Sequence, residues 1–157
     1  MGDESAKRAA EEFLAARLSE EGQSYESRAN LEAAIALAPA VWKKVAETVI
    51  TQCHEWNEVT GEQTLTYRET TLGDLRILCA GRSHQMSVHY DSRKRLITIK
   101  NSARPKGETD TILSIEGYWT GSGREAQLVR SKEAVNLDMV ILGHLRVLAG
   151  LSRRADG

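Results

Sequence analysis

Cysteine and proline are both scarce in this sequence. Cys53 and Cys79 are its two cysteines, too few for a disulfide-stapled secreted scaffold. Two prolines exclude a proline-rich linker protein. Neither sign of charge dominates. The 22 acids against 21 bases give −1, which excludes a uniformly basic nucleic-acid binder and an acidic-tail protein. Long apolar runs are missing as well. The most apolar region, Val135 to Leu151, is interrupted by Asp138, His144 and Arg146 and is shorter than the roughly 20 residues a bilayer span requires. The N-terminus is polar with no apolar stretch behind it, so no secretory signal and no membrane span are expected. Reduced thiols fit the cytoplasm, the expected location.

What remains is one domain's worth of chain. At 157 residues, 41% apolar and 27% charged, it is long enough for a single core. Ala6, Ala10, Phe13, Leu14 and Leu18 fall near one face at helical spacing, so residues 5–19 read as a thin, alanine-rich helix. Residues 1–26 are therefore expected to form a helical arm, with Gly22 as a stop within a loop over 20–26. A second helix follows. Ser27 or Asn30 can cap it, and Leu31, Ile35, Ala38, Trp42, Val45, Val49, Cys53 and Trp56 keep one stripe facing one way. Pro39 kinks or restarts it, and Thr60-Gly61 ends it.

From Gln63 the period becomes two. Leu65 and Tyr67, then Leu75, Ile77 and Cys79, then Met86, Val88 and Tyr90, then Ile97 and Ile99, then Leu113 and Ile115 alternate with polar neighbours. Short connectors imply hairpins and an antiparallel sheet. Residues 124–130 read as a sixth strand, and a long last helix follows over about 132–151. The expected fold is α+β: two N-terminal helices, an antiparallel sheet of five or six strands, and a long C-terminal helix packed on the sheet. Residues 27–151 form the domain and 152–157 a frayed tail. The element order resembles helix-grip folds and pleckstrin-homology-like barrels in architecture, and such a likeness transfers no function.

No catalytic set, metal site or cofactor site emerges. His54-Glu55-Trp56-Asn57-Glu58 lacks the second histidine of the zinc pattern and reads as an exposed His54–Glu58 pair. Gly121-Ser122-Gly123-Arg124-Glu125-Ala126 has dinucleotide-fingerprint spacing, but no parallel strand follows, so it reads as a turn. Cys79 and His89 point to opposite faces, which rules out a shared metal shell.

Two features stand out. Residues 82–106 carry Arg82, Arg93, Lys94, Arg95, Lys100, Arg104 and Lys106 against Asp91 alone, while residues 1–62 hold 12 acids and 6 bases. The basic run is either an anion site or ordinary edge protection. With only Tyr90 inside it, it argues against single-stranded nucleic acid. The last helix is apolar around most of its circumference, with Val140, Val147 and Leu151 as candidate assembly residues. It needs cover from the same chain, a second copy or a bound ligand. The leading expectation is thus a binding or assembly module that works through helical surfaces, as a homodimer or with a protein partner. One alternative is a carrier of a small apolar molecule or lipid, with Met86, Tyr90, Met139, Leu142 and His144 lining a cavity between curved sheet and last helix. Another is anion recognition by the basic run.

Overall fold

The computed structural model describes residues 2–71 and 73–152. Its elements are α1 (Gly2–Thr60), β1 (Leu65–Thr71), β2 (Asp74–Cys79), β3 (Gln85–Asp91), β4 (Leu96–Asn101), β5 (Thr111–Trp119), β6 (Arg124–Arg130), β7 (Glu133–Ala134) and α2 (Leu137–Leu148). The tail 153–157, expected to fray, lies outside the described residues.

The expected helix layout is wrong at both ends. One continuous helix of 59 residues replaces the two N-terminal helices, and the C-terminal helix is short, with 12 residues. Gly22 does not stop α1, because an interior glycine costs only about 1 kcal/mol relative to alanine and Glu20, Glu21 and Gln23 around it are good helix formers. Pro39 sits inside α1 on its solvent side. The carbonyl four residues earlier loses its donor there but stays within reach of water. α2 starts later than expected because Ser131 and Lys132 take positive φ of 52° and 68° in a tight turn, and β7 follows. Asn136 then caps α2, its side chain accepting from the Met139 N–H. Gly150, at φ 87°, ends it.

Seven strands, not the expected five or six, form a single antiparallel sheet in sequence order, because the turn at Ser131 and Lys132 adds β7 beside β6. Alternation puts one apolar residue opposite another along the inner face. Ile77 faces Met86, Val88 faces Ile99, Ile97 faces Leu113 and Ile115 faces Leu128. All of these are buried in one cluster with Val45, Val49 and Cys53 of α1 and Ile141, Leu145 and Leu148 of α2. α1 touches both the β1 edge and the β5–β6 hairpin, so the sheet curls around the helix and α1 fills its concave side.

The stripe that packs follows the spacing from Ala38 to Trp56 and departs from it only at the N-terminal end, where Ala34 is buried while Leu31 and Ile35 are exposed. The reason lies across the interface at Gly117 of β5, whose missing side chain lets α1 approach closely. A Cβ there would lie 3.0 Å from the Asn30 carbonyl carbon and 3.1 Å from the Ala33 Cβ, and closer still to the Asn30 oxygen. Only small residues fit such an approach. Farther along, Trp42 stacks on Tyr90 at 5.6 Å between ring centroids. The Asn57 side chain clamps Leu65, donating to its carbonyl at 2.7 Å and accepting from its N–H at 2.8 Å.

Candidate docking surfaces

α1 leaves the domain near residue 29. A last latch holds it there: Arg124 of β6 bonds the Asn30 side chain and pairs with Glu26 at 3.1 Å, and its guanidinium lies over Trp119. Every residue from Ser5 to Arg28 is exposed. The arm extends over about 36 Å at 1.5 Å per residue. It stays helical because the packed part of α1 has already met the cost of nucleation, and Ala6, Ala9, Ala10, Ala15 and Ala16 propagate it readily. Phe13 is 65% exposed, Leu14 55%, Leu18 68% and Tyr25 69%. Ala10, Leu14, Leu18 and Tyr25 fall at steps of four, four and seven, and Phe13 flanks them. Between Ala9 and Tyr25 the arm holds Glu11, Glu12, Glu20 and Glu21 against Arg17 alone, and Arg17 is paired with Glu21 at 3.6 Å.

The outer face of the sheet is the second unpartnered surface. Register places Arg68 of β1 directly opposite Arg76 of β2, Arg76 opposite Ser87 of β3, and Ser87 opposite Lys100 of β4. Like charges opposite one another on neighbouring strands repel. The nearby carboxylate is Asp74, 3.6 Å from Arg76 and already accepting from Thr70 at 2.7 Å. Leu78 and Ile112 on the same face are 48% and 52% exposed. A surface concavity of 510 Å³ adjoins Arg68, Arg76, Leu78, Thr66 and Gln85.

Within the basic run 82–106, the fold separates the charges. Arg93, Lys94 and Arg95 form the β3–β4 turn at one end of the strands. Asp91 accepts from the Arg93 and Lys94 N–H groups at 3.0 and 3.1 Å. The bond from Lys94, with that from Arg93 and the nearby positive charges, holds the Asp91 carboxyl below the usual carboxylate range. Arg82, Arg104 and Lys106 lie at the opposite end. Arg82 rests against Gly150, and Arg104 is paired with Asp110. Only Lys100 joins the row with Arg68 and Arg76. Those two arginines lay outside the charge run, though their place on the polar side of the alternation was visible in the sequence.

The proposed cavity residues also scatter. Met86 is fully buried and packed, and Tyr90 is stacked on Trp42. His144 is buried on the inner side of α2, its Nε2 2.9 Å from the Thr111 hydroxyl, while its carbonyl accepts from Asn101 at 2.9 Å. Met139 and Leu142 instead line an open groove of 750 Å³ between α1 and α2, with Glu47, Gln52, Trp56 and Asp138. Gln52 donates to the Asp138 carbonyl at 3.0 Å, and its own side-chain oxygen is buried without a partner. Val140 and Val147 are half-buried within the chain itself, and Leu151 is exposed beside Arg82 and Pro105. The apolar girth of α2 is thus covered mainly by the sheet and α1.

His54 bonds the Tyr67 hydroxyl at 3.1 Å rather than Glu58. Gly121 and Gly123 sit in the β5–β6 turn. Both cysteines are buried and free, and burial pushes the Cys53 thiol up to about 11. Among the described residues, no three His, Cys, Asp or Glu side chains gather to hold a metal, and no helix is long and apolar enough to cross a membrane. No protein-family model, curated protein or solved structure matches the chain.

Proposed function

We propose that this protein is an assembly module whose working element is the projecting part of α1, and that the arm engages a second copy of the chain. One observation carries the reading: a helical stretch of 24 residues, Ser5 to Arg28, stands wholly exposed while it displays Leu14, Leu18 and Tyr25 along one side with Phe13 beside them. Full burial of such side chains contributes about 1.5–3 kcal/mol each, a driving force left unused in the isolated chain. Sedimentation velocity of the full chain tests it. The expected result is a species heavier than 17.4 kDa that grows with concentration and disappears in Leu14→Asp/Leu18→Asp. A monomer at every concentration refutes it.

A second reading, small-ligand binding, is supported by the α1–α2 groove. Its Gln52 oxygen needs a donor, and Trp56, Met139 and Leu142 offer apolar contact. Native mass spectrometry of the purified protein would show a co-purifying mass. A clean apoprotein mass would count against it.

A further inference from the structure

We infer that the groove between α1 and α2 binds an organic amine in its ammonium form, with the charge held at Glu47 and Glu55 and the hydrocarbon laid against Trp56, Met139 and Leu142. This rests on the ligand-binding reading of the groove and names the chemical class of its occupant.

The groove has a floor and a rim. Gln52, Trp56 and Leu142 are half-buried and form the floor, while Glu47, Glu55, Asp138 and Met139 are exposed and form the rim. At 750 Å³ it has room for an aryl or alkyl body. The polar member of the floor is Gln52. Its amide N–H is used on the Asp138 carbonyl, and its side-chain oxygen is buried without a partner. A buried acceptor in that state is unfavourable, and a donor N–H on a ligand removes the cost. Met139, unbranched and exposed, is the part of the wall that can swing aside to admit one.

The rim sets the sign of the charge. It carries three carboxylates against Lys44, and none of the four is in an ion pair among the described residues. Asp138 lies in the first turn of α2, where the helix dipole already favours its charge. Glu47 and Glu55 have no such support. They stand eight residues apart on α1, about 12 Å, with Thr51 between them. A cation between them is attracted by both, and an anion is repelled by both. A hydrocarbon without a donor leaves the Gln52 oxygen as it is. An ammonium group on an apolar body meets all three demands: a donor for the floor, a positive charge for the rim and contact area for Trp56, Met139 and Leu142.

Three probes that share one apolar body separate the classes. Phenethylamine, phenethyl alcohol and phenylpropionate are each titrated into the full chain at neutral pH, while the Trp56 indole N–H, the Gln52 side-chain amide and the Met139 methyl are followed by NMR. The amine should shift these signals in a saturable manner and bind several-fold tighter than the alcohol or the carboxylate. Glu47→Gln/Glu55→Gln should weaken the amine about threefold to tenfold, the scale of two exposed charge pairs, and leave the alcohol unchanged. Both side chains are exposed, so folding is expected to survive. Met139→Lys, on the other helix, sets a positive charge on the rim and should weaken the amine likewise if the first variant fails to fold. Added salt should act in the same direction.

If the alcohol or the carboxylate binds the groove as tightly as the amine, the amine class is wrong and the ligand-binding reading stands. If the amine binds Glu47→Gln/Glu55→Gln as tightly as the parent, the assignment of its charge to these two residues is overturned. If no probe moves the groove signals, the amine proposal falls, and a clean apoprotein mass would take the ligand-binding reading with it.

Discussion

Replacing Gly117 with alanine tests how α1 is seated, and therefore how the arm is launched. The new Cβ would fall onto the Asn30 carbonyl, with its carbon at 3.0 Å and the Ala33 Cβ at 3.1 Å, where ordinary contact begins near 3.4 Å. These neighbours are two backbone atoms and a Cβ, so no flexible side chain can swing away. α1 must lift from β5 by on the order of 1 Å, a gap that forfeits part of every nearby packing contact. Overpacking of this kind costs about 1–3 kcal/mol. Alanine also restricts the unfolded chain, which returns about 0.4–1 kcal/mol. The net expectation is a loss of about 1–2 kcal/mol, read as a lower urea midpoint at unchanged slope. Because the Arg124 latch spans the same contact, amides of residues 26–34 should exchange faster in the variant. A variant as stable as the parent, with those amides equally protected, would refute the close approach and the seating of α1 deduced from it.

Other expectations follow from the same geometry. His144→Leu leaves the buried Thr111 hydroxyl without its partner and should cost about 1–3 kcal/mol, while Thr111→Val/His144→Leu should recover part of that loss in a denaturant titration. Arg124→Ala releases Glu26 and Asn30, so amides of residues 26–32 should exchange faster than in the parent, with a small change in global stability. Cys53 and Cys79 should resist a thiol reagent in the native protein and react on unfolding, since both are buried and the Cys53 thiol stays protonated well above neutral pH. Asp91 is held below its ordinary range, so its support of the β3–β4 turn is present above the unfolded carboxylate range and lost as pH falls through the lowered value. The Arg93 and Lys94 amide resonances should shift with that acid titration, and Asp91→Asn should abolish the shift.

The strands were legible because one residue in two is apolar over β1 to β5, and a half-buried sheet needs no more than that. The helices were less so. Gly22 and Pro39 are breakers by local propensity, yet Gly22 sits among strong helix formers and Pro39 faces water, so neither ends α1. The choice of Leu31 and Ile35 over Ala34 as packing residues followed hydrophobicity. The true contact is decided by Gly117, 83 residues away in the chain, and no local pattern reveals it. The girth of α2 called for cover from the same chain, a second copy or a ligand, and the first of these is what α1 and the sheet supply. The Arg68–Arg76 pairing was half visible. Both residues alternate outward, but only the hairpin register shows that they stand opposite each other.

Hydrogen exchange of the wild-type protein at two concentrations tests the central claim most directly. At high concentration, amides of residues 10–25 should gain protection, and at low concentration the same amides should exchange faster. Equal exchange of the arm at both concentrations would contradict the proposal that this helix works by engaging another copy of the chain.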